Sequence, residues 1–348
     1  MAQNTAEEVK KRMSAQGSEK VDRILYNGQQ KTVELFKSNL KGIFVSMYGT
    51  FIPSWASGTP VSRGKGIMDA LLESISIIDA KGNLIDSIPT TFFRHVQKWY
   101  NGKDSPCIFK NNASTLDTYD IGFWNYGVTA QPVAFRESIY IPFECIRAEA
   151  NFFDTILNYN GRDLNTIKLN FREIAKLQSV DGVVNVSYSH NIYCDVQCVN
   201  TADMGGGRRW RRYFKEESFT NATTKRIELD SVDNLMNLLI SVGTGNARTP
   251  VTMEQARFIK FTLEVKKGGV RSQLHNESTL ADLIYGDLNK RKQDSINLGV
   301  ANMTFISGNL LETAEPNMYD EMNLVITFES DLSFASAYYV QVMVDDLE

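Results

Sequence analysis

From Val184 to Cys198 the chain alternates, residue by residue, between two kinds of side chain. The even positions are Val184, Val186, Tyr188, His190, Ile192, Cys194, Val196 and Cys198. The odd positions between them are Asn185, Ser187, Ser189, Asn191, Tyr193, Asp195 and Gln197. A period of two places each set on one face of an extended strand, so this stretch has one dry face and one wet face, as in an antiparallel sheet. It is far longer than the usual strand of about 5–6 residues. The same rule fits Ile259, Phe261, Leu263 and Val265, set against Lys260, Thr262, Glu264 and Lys266. It also fits Ile139 to Cys145, Ile167 to Phe171, Leu324 to Phe328 and Tyr338 to Val344. Strands of a parallel sheet are buried on both faces and read as continuous apolar runs. The pattern therefore excludes a parallel α/β enzyme core and implies antiparallel β-sandwiches.

A chain of 348 residues is too long for one ordinary core and divides into two domains of about 150–175 residues. The stretch TADMGGG, Thr201 to Gly207, ends the longest strand pattern and marks the boundary. The expected organisation is an N-terminal helix or arm over 1–28, a first sandwich over 29–201, and a hinge with a second sandwich over 202–348. Residues 5–26 read as a charged amphipathic helix, with Ala6, Val9 and Met13 at helical spacing. Short helices are expected over Thr91 to Tyr100 and over Glu149 to Tyr159. A third, capped by Asp230 or Ser231, would carry Leu235, Met236, Leu238 and Leu239. Thr279 and Asp282 form a capping box for a fourth, running through Leu288.

The net charge of −4 gives no global reason to expect nucleic acid, whose partners carry a basic excess; any such contact would be local. The start MAQNTAEEVKKRM has no apolar core of a secretory signal. The four cysteines (Cys107, Cys145, Cys194 and Cys198) are too sparse for a disulfide scaffold, so reduced thiols and folding in the cytoplasm are expected.

Three histidines leave little room for metal or acid–base chemistry. His95 falls on an expected helix beside Trp99. His190 falls on the apolar face of the long strand and reads as a core residue. Cys194 and Cys198 share that face, but residues i and i+4 of a strand lie about 13 Å apart, too far to hold one ion. Both read as buried thiols. Nucleophile elbows, Walker loops and dinucleotide-binding glycine motifs do not occur. No catalytic residue, metal or cofactor is expected. One constellation stands out: Gly205 to Gly207 followed by Arg208, Arg209, Trp210, Arg211 and Arg212. Four guanidiniums and an indole suit an anion or nucleic-acid contact; the plainer reading is a flexible hinge followed by an edge segment that pairs with carboxylates of a neighbouring subunit. The acidic end, Asp345, Asp346 and Glu348, reads as a solvated tail.

Read in order, the chain resembles the double jelly-roll major capsid proteins of tailless icosahedral bacteriophages with an internal membrane, the tectivirus, corticovirus and finnlakevirus types. The resemblance rests on an ordered run. An N-terminal helix leads into KGIFVSMYGTFIP, then LLESISIIDAKGNLIDSIP, then the helix through Trp99. SIYIPFE, NFFDTILNYNGRDL and TIKLNF follow, and the strand ending at Cys198 closes the first barrel. A second strand set runs from about Arg212 to the end.

This resemblance implies a mainly β fold of two consecutive eight-stranded antiparallel jelly-roll sandwiches, with a few short helices and an N-terminal helix. It implies a homotrimer whose six sandwiches make a pseudo-hexagonal capsomer in a virion shell. The N-terminal helix would face the capsid interior or an internal membrane. Further partners would be penton and minor capsid proteins. Function would then reside in interfaces. Phe51, Trp55, Phe123, Trp124 and Tyr126 are candidates for contact between subunits, with ordinary core or loop packing as the equal alternative for each. A carbohydrate-binding or adhesive β-sandwich using Trp55, Trp124 and Tyr126 remains the second reading. A β-sandwich glycoside hydrolase is a third, although no pair of carboxylates is singled out.

Overall fold

The structure is a computed structural model that describes residues 17–35, 40–62, 66–78, 84–92, 107–111, 118–119, 126, 128–142, 165–178, 184–200, 210–229, 235–245, 248–291, 299–304 and 319–347. The chain divides into two compact units, and the sequence from Trp210 onward belongs to the second. Among the described residues no helix is long and apolar enough to cross a membrane.

The first unit contains β1 (Gly17–Leu25), β2 (Lys31–Glu34), β3 (Leu40–Ser54), β4 (Leu72–Ile78), β5 (Leu84–Pro89), β6 (Cys107–Asn111), β7 (Thr118–Tyr119), β8 (Val133–Pro142), β9 (Thr166–Phe171) and β10 (Ser187–Asn200). They form two antiparallel sheets, ordered β1-β10-β3-β8-β6-β7 and β2-β9-β4-β5. The second unit contains β11 (Trp210–Phe219), β12 (Thr224–Glu228), β13 (Leu235–Thr244), β14 (Thr249–Pro250), β15 (Ile259–Lys267), β16 (Val270–Thr279), β17 (Val300–Thr304), β18 (Glu321–Phe328) and β19 (Tyr338–Leu347). One of its sheets runs β11-β19-β13, with β14 and β17 both pairing β13; the other runs β12-β18-β15-β16.

The two units share a plan. Setting aside the short β6, β7 and β14, and numbering the remaining strands within each unit, both have sheet orders 1-8-3-6 and 2-7-4-5. The last strand lies between the first and the third. This is the nested Greek-key order of a jelly roll. The strand order of the second unit had no signature in the sequence, and neither did its identity with the first.

Period-two burial builds both cores. In the first unit Ile192, Cys194, Val196 and Cys198 of β10 are buried beside Ile43, Val45 and Met47 of β3. In the second, Leu238, Ile240 and Val242 of β13 and Val340, Val342 and Val344 of β19 join Ile259, Phe261, Leu263, Leu324 and Ile326 from the facing sheet. Phe219 and Phe328 stack there with centroids 4.2 Å apart. Each such side chain contributes about 1.5–3 kcal/mol on burial.

Short helical elements punctuate the strands. α1 (Ile67–Leu71) has no capping side chain at Gly66; instead the buried Glu137 of β8 accepts from the backbone N–H of Met68 at 2.8 Å. A 3-10 turn covers Ile174–Leu177. Thr252 and Gln255 form a capping box for α2 (Met253–Ala256). In α3 (Leu280–Arg291) the expected box is present, because Asp282 N–H donates to Thr279 Oγ1 at 3.1 Å and Thr279 N–H to Asp282 Oδ2 at 3.2 Å. Thr90 to Phe92 are helical, and the rest of the helix expected through Tyr100 lies outside the described residues, as does that over Glu149 to Tyr159.

Two expectations change. Residues 235–239 form the start of β13, not a helix. Leu235, Asn237, Leu238, Leu239 and Ile240 are all buried, so both faces of this central strand are dry and the alternation that marks a strand is lost. Residues 17–25, expected as helix, form β1, which pairs antiparallel with β10. Here strand pairing overrides local propensity, and residues 1–16 lie outside the described set.

Gly49 shows how closely β3 and β10 approach. Its φ is +144°, and a Cβ there would sit 2.2 Å from Asn191 O and 2.8 Å from Ile192 Cα. Gly49→Ala should therefore destabilise the first unit by at least about 2 kcal/mol, measured as a lower denaturant midpoint.

Candidate assembly surface

The wet face of the β1-β10-β3-β8 sheet is not simply polar. Register places Tyr193 opposite Tyr48, and Tyr48 opposite Arg136. One step along the strands, Asp195 faces Ser46 and Ser46 faces Ser138; β1 adds Arg23 beside Asp195 and Leu25 beside Tyr193. The two tyrosine rings stack with centroids 5.9 Å apart. Arg23 lies 5.8 Å from each ring centroid, and Arg136 lies 5.9 Å from that of Tyr48. Tyr48 Oη donates to both Asp195 carboxylate oxygens at 3.1 Å, and Arg23 Nε donates to Oδ1 at 3.4 Å. Phe44 and Tyr140 pack at 4.7 Å farther along. Leu25, Phe44 and Ile52 remain 57%, 37% and 38% exposed. Tyrosine, arginine and phenylalanine are the residues enriched at the centres of protein interfaces. The sequence shows each of them at a wet position, but only the register brings them together.

The arginine cluster is divided by the structure. Arg208 and Arg209 lie outside the described residues, and Trp210 and Arg211 are described only as backbone at the start of β11. Arg212 is 3% exposed. It stands opposite Asp345 of β19, which is fully buried and accepts from Asn237 Nδ2 of β13 at 3.2 Å. Asp345 is therefore not part of a solvated tail, and Arg212 lies too deep to meet a ligand or a neighbour. The two residues are buried in register on adjacent strands. Nearby on the same face, Arg248 Nη2 and Nε grip Glu216 at 2.8 and 3.2 Å, and its guanidinium lies 3.3 Å from the Tyr339 ring centroid.

The five aromatic candidates also separate. Phe51 is fully buried, 6.2 Å from Phe135, and serves the core. Tyr126 is buried, with its hydroxyl 2.6 Å from that of Tyr188; burial, then this hydrogen bond, push its phenol pKa far above the ordinary value. Trp55 is half-buried, edge-on to Tyr126 at 6.0 Å, with its indole N–H donating to Gly58 O. Phe123 and Trp124 lie outside the described residues.

His190 differs from its expected core position: the buried face of β10 begins at Ile192, and His190 lies exposed beyond it, 5.4 Å from the Tyr26 ring. His95 lies outside the described residues. Cys194 and Cys198 are buried and outside any disulfide, and burial raises the Cys194 pKa well above the ordinary thiol range. Among the described residues no three His, Cys, Asp or Glu side chains are grouped to hold a metal.

No protein-family model matches the sequence, and no curated protein matches it. Solved structures match the fold over almost the whole chain. A chain from the atomic structure of Sulfolobus turreted icosahedral virus has a TM-score of 0.63 at 9% identity, covering 95% of this chain and 90% of that one. The quasi-atomic model of the PBCV-1 virus capsid gives 0.58 at 11%, covering 96% and 94%. The major capsid protein of bacteriophage PM2 gives 0.53 at 11%, covering 96% and 98%.

Two outcomes follow from the buried groups. Asp345→Ala should lower stability by about 1–3 kcal/mol, because it leaves the buried Asn237 amide without its acceptor; thermal unfolding measures it. Cys194, whose thiol stays protonated as pH rises through 8 and 9, should resist alkylation in the folded protein and react once it is denatured, which peptide mapping by mass spectrometry will read. The fold shared with these chains is the double jelly roll that the resemblance implies.

Proposed function

We propose that this chain is a viral major capsid protein, acting as a homotrimeric capsomer in an icosahedral shell. The observation that carries the reading is the repetition of one strand order, 1-8-3-6 with 2-7-4-5, in two successive units. A trimer of such chains presents six similar sandwiches, which suits a pseudo-hexagonal tile. The fold matches support it, because they cover nine-tenths or more of both partners without large unmatched domains on either side.

In this reading residues 1–16 form an arm directed to the capsid interior or an internal membrane. Residues 17–201, with β1 as the first strand, form the first tile element, and 202–348 the linker and the second. The described face bearing Tyr48, Tyr193, Arg23 and Arg136 supplies contact with the next copy. Arg208, Arg209 and Arg211 remain available, in the proposal, for an anion or a subunit's carboxylates, with Trp55, Phe123 and Trp124 as further contacts. The protein would fold in the host cytoplasm and end in the virion, meeting penton and minor capsid proteins there.

Size-exclusion chromatography with light scattering tests this directly. The expected mass is three times the 39.3 kDa of one chain, and electron microscopy of concentrated material should show hexagonal tiles or shells. A stable monomer that binds sugar would overturn the reading in favour of a carbohydrate-binding module.

A further inference from the structure

We propose that β16 is a two-fold contact, its free edge pairing antiparallel with β16 of a second copy about an axis through Leu274. The purpose assigned to it, joining one capsomer to the next, rests on the capsid reading; its geometry does not.

β16 borders β15 on one side and no described strand on the other. Of its ten residues only His275, Ser278 and Thr279 are even partly buried. Val270 is 70% exposed and Leu274 37%. An edge of this length offers a row of backbone donors and acceptors to any passing strand. Natural edges are guarded by lysine, proline, shortness or bulges. β16 has neither lysine nor proline, but it carries two extra residues relative to β15, one between the partners of Phe261 and Leu263 and one between those of Leu263 and Glu264. The second extra residue is Leu274 itself. Such a bulge rejects an arbitrary strand. A two-fold partner brings the same bulge to the same axis.

The charge pattern of VRSQLHNEST selects that axis. Turning the strand antiparallel about Leu274 sets Leu274 against Leu274, Gln273 against His275, Ser272 against Asn276, Arg271 against Glu277 and Val270 against Ser278. No other antiparallel register pairs Arg271 with Glu277, and a parallel one does so only when staggered by six residues, and then only once. Both side chains lie on one face of the sheet: Arg271 is opposite Lys266, and Glu277 reaches Lys260 Nζ at 3.0 Å from an exposed position. Lys260 also holds Glu329 at 2.6 Å, so it keeps a carboxylate when Glu277 turns to a neighbour's Arg271. Each contact thus contains two Arg–Glu pairs, as an isologous interface requires. A nine-residue strand pair falls below the roughly 1,200 Å² of a stable interface. It is weak singly and strong by repetition. A shell of three-fold tiles needs a second contact of this kind.

The test is covalent capture in the full chain. Directly opposed strand residues have Cβ atoms about 4.5–5.5 Å apart, so Leu274→Cys should form a disulfide-linked dimer under mild oxidation. Wild type under the same oxidant gives the background, and circular dichroism confirms folding. Ser272→Cys mixed with Asn276→Cys reads the same register without touching the axis. In the Leu274→Cys background, Arg271→Glu or Glu277→Arg should each reduce dimer yield about fivefold, and the double exchange should restore it. Dimer no greater than wild type at both probes, or yields indifferent to the charge reversals, would overturn the contact. Light scattering on the same samples separates the two readings. Trimers without capture remove this contact and leave the capsomer; captured dimers from a chain that never trimerises do the reverse.

Discussion

Both units depend on one long-range act: the last strand must insert between the first and the third. β10 pairs with β1 and β3, and β19 with β11 and β13. Every register in those sheets is fixed by that insertion. The paired residues are distant in sequence; His190 lies opposite Phe51, and Asn191 opposite Thr50. Closing such separations costs loop entropy before any hydrogen bond repays it. The cores repay it by packing whole apolar rows, which is why the closing strands are long and strictly patterned. Gly49 is the local consequence, a place where β3 and β10 come too close for any side chain.

Where one face of a strand meets water, the fold was legible. β10, β15 and β18 announce themselves because every second residue is apolar. β13 does not, since both its faces are dry, and a run such as LMNLLI then reads as helix as readily as strand. β1 is charged and carries the single buried Ile24 among its described side chains, so its local composition points to helix, and only its pairing with β10 makes it a strand. The sequence also revealed the capping box at Thr279 and missed the start of α1, because the group that satisfies it, Glu137, comes from a distant strand.

The candidate site was less legible, for a reason that recurs in sheet proteins. Tyr48, Arg136, Tyr193 and Asp195 come from three strands far apart in the chain, and nothing but register joins them. Conversely, the arginines that looked most conspicuous in sequence include one, Arg212, that the fold consumes. Its partner Asp345 looked like the beginning of a tail. Adjacent strands turned both into interior residues. Charge that looks free in one dimension can be committed in three.

The arginines that do reach solvent differ in hydration from the lysines common on edges. Arg23 and Arg136 lie over tyrosine rings, and guanidinium holds its water more weakly than ammonium does. Drying such a face costs little, and a cation in contact with a ring acts well inside the roughly 8 Å beyond which mobile ions screen exposed charges at physiological ionic strength. A surface built from Tyr48, Tyr193, Arg23 and Arg136 would accordingly keep its grip in dilute and in concentrated brine alike.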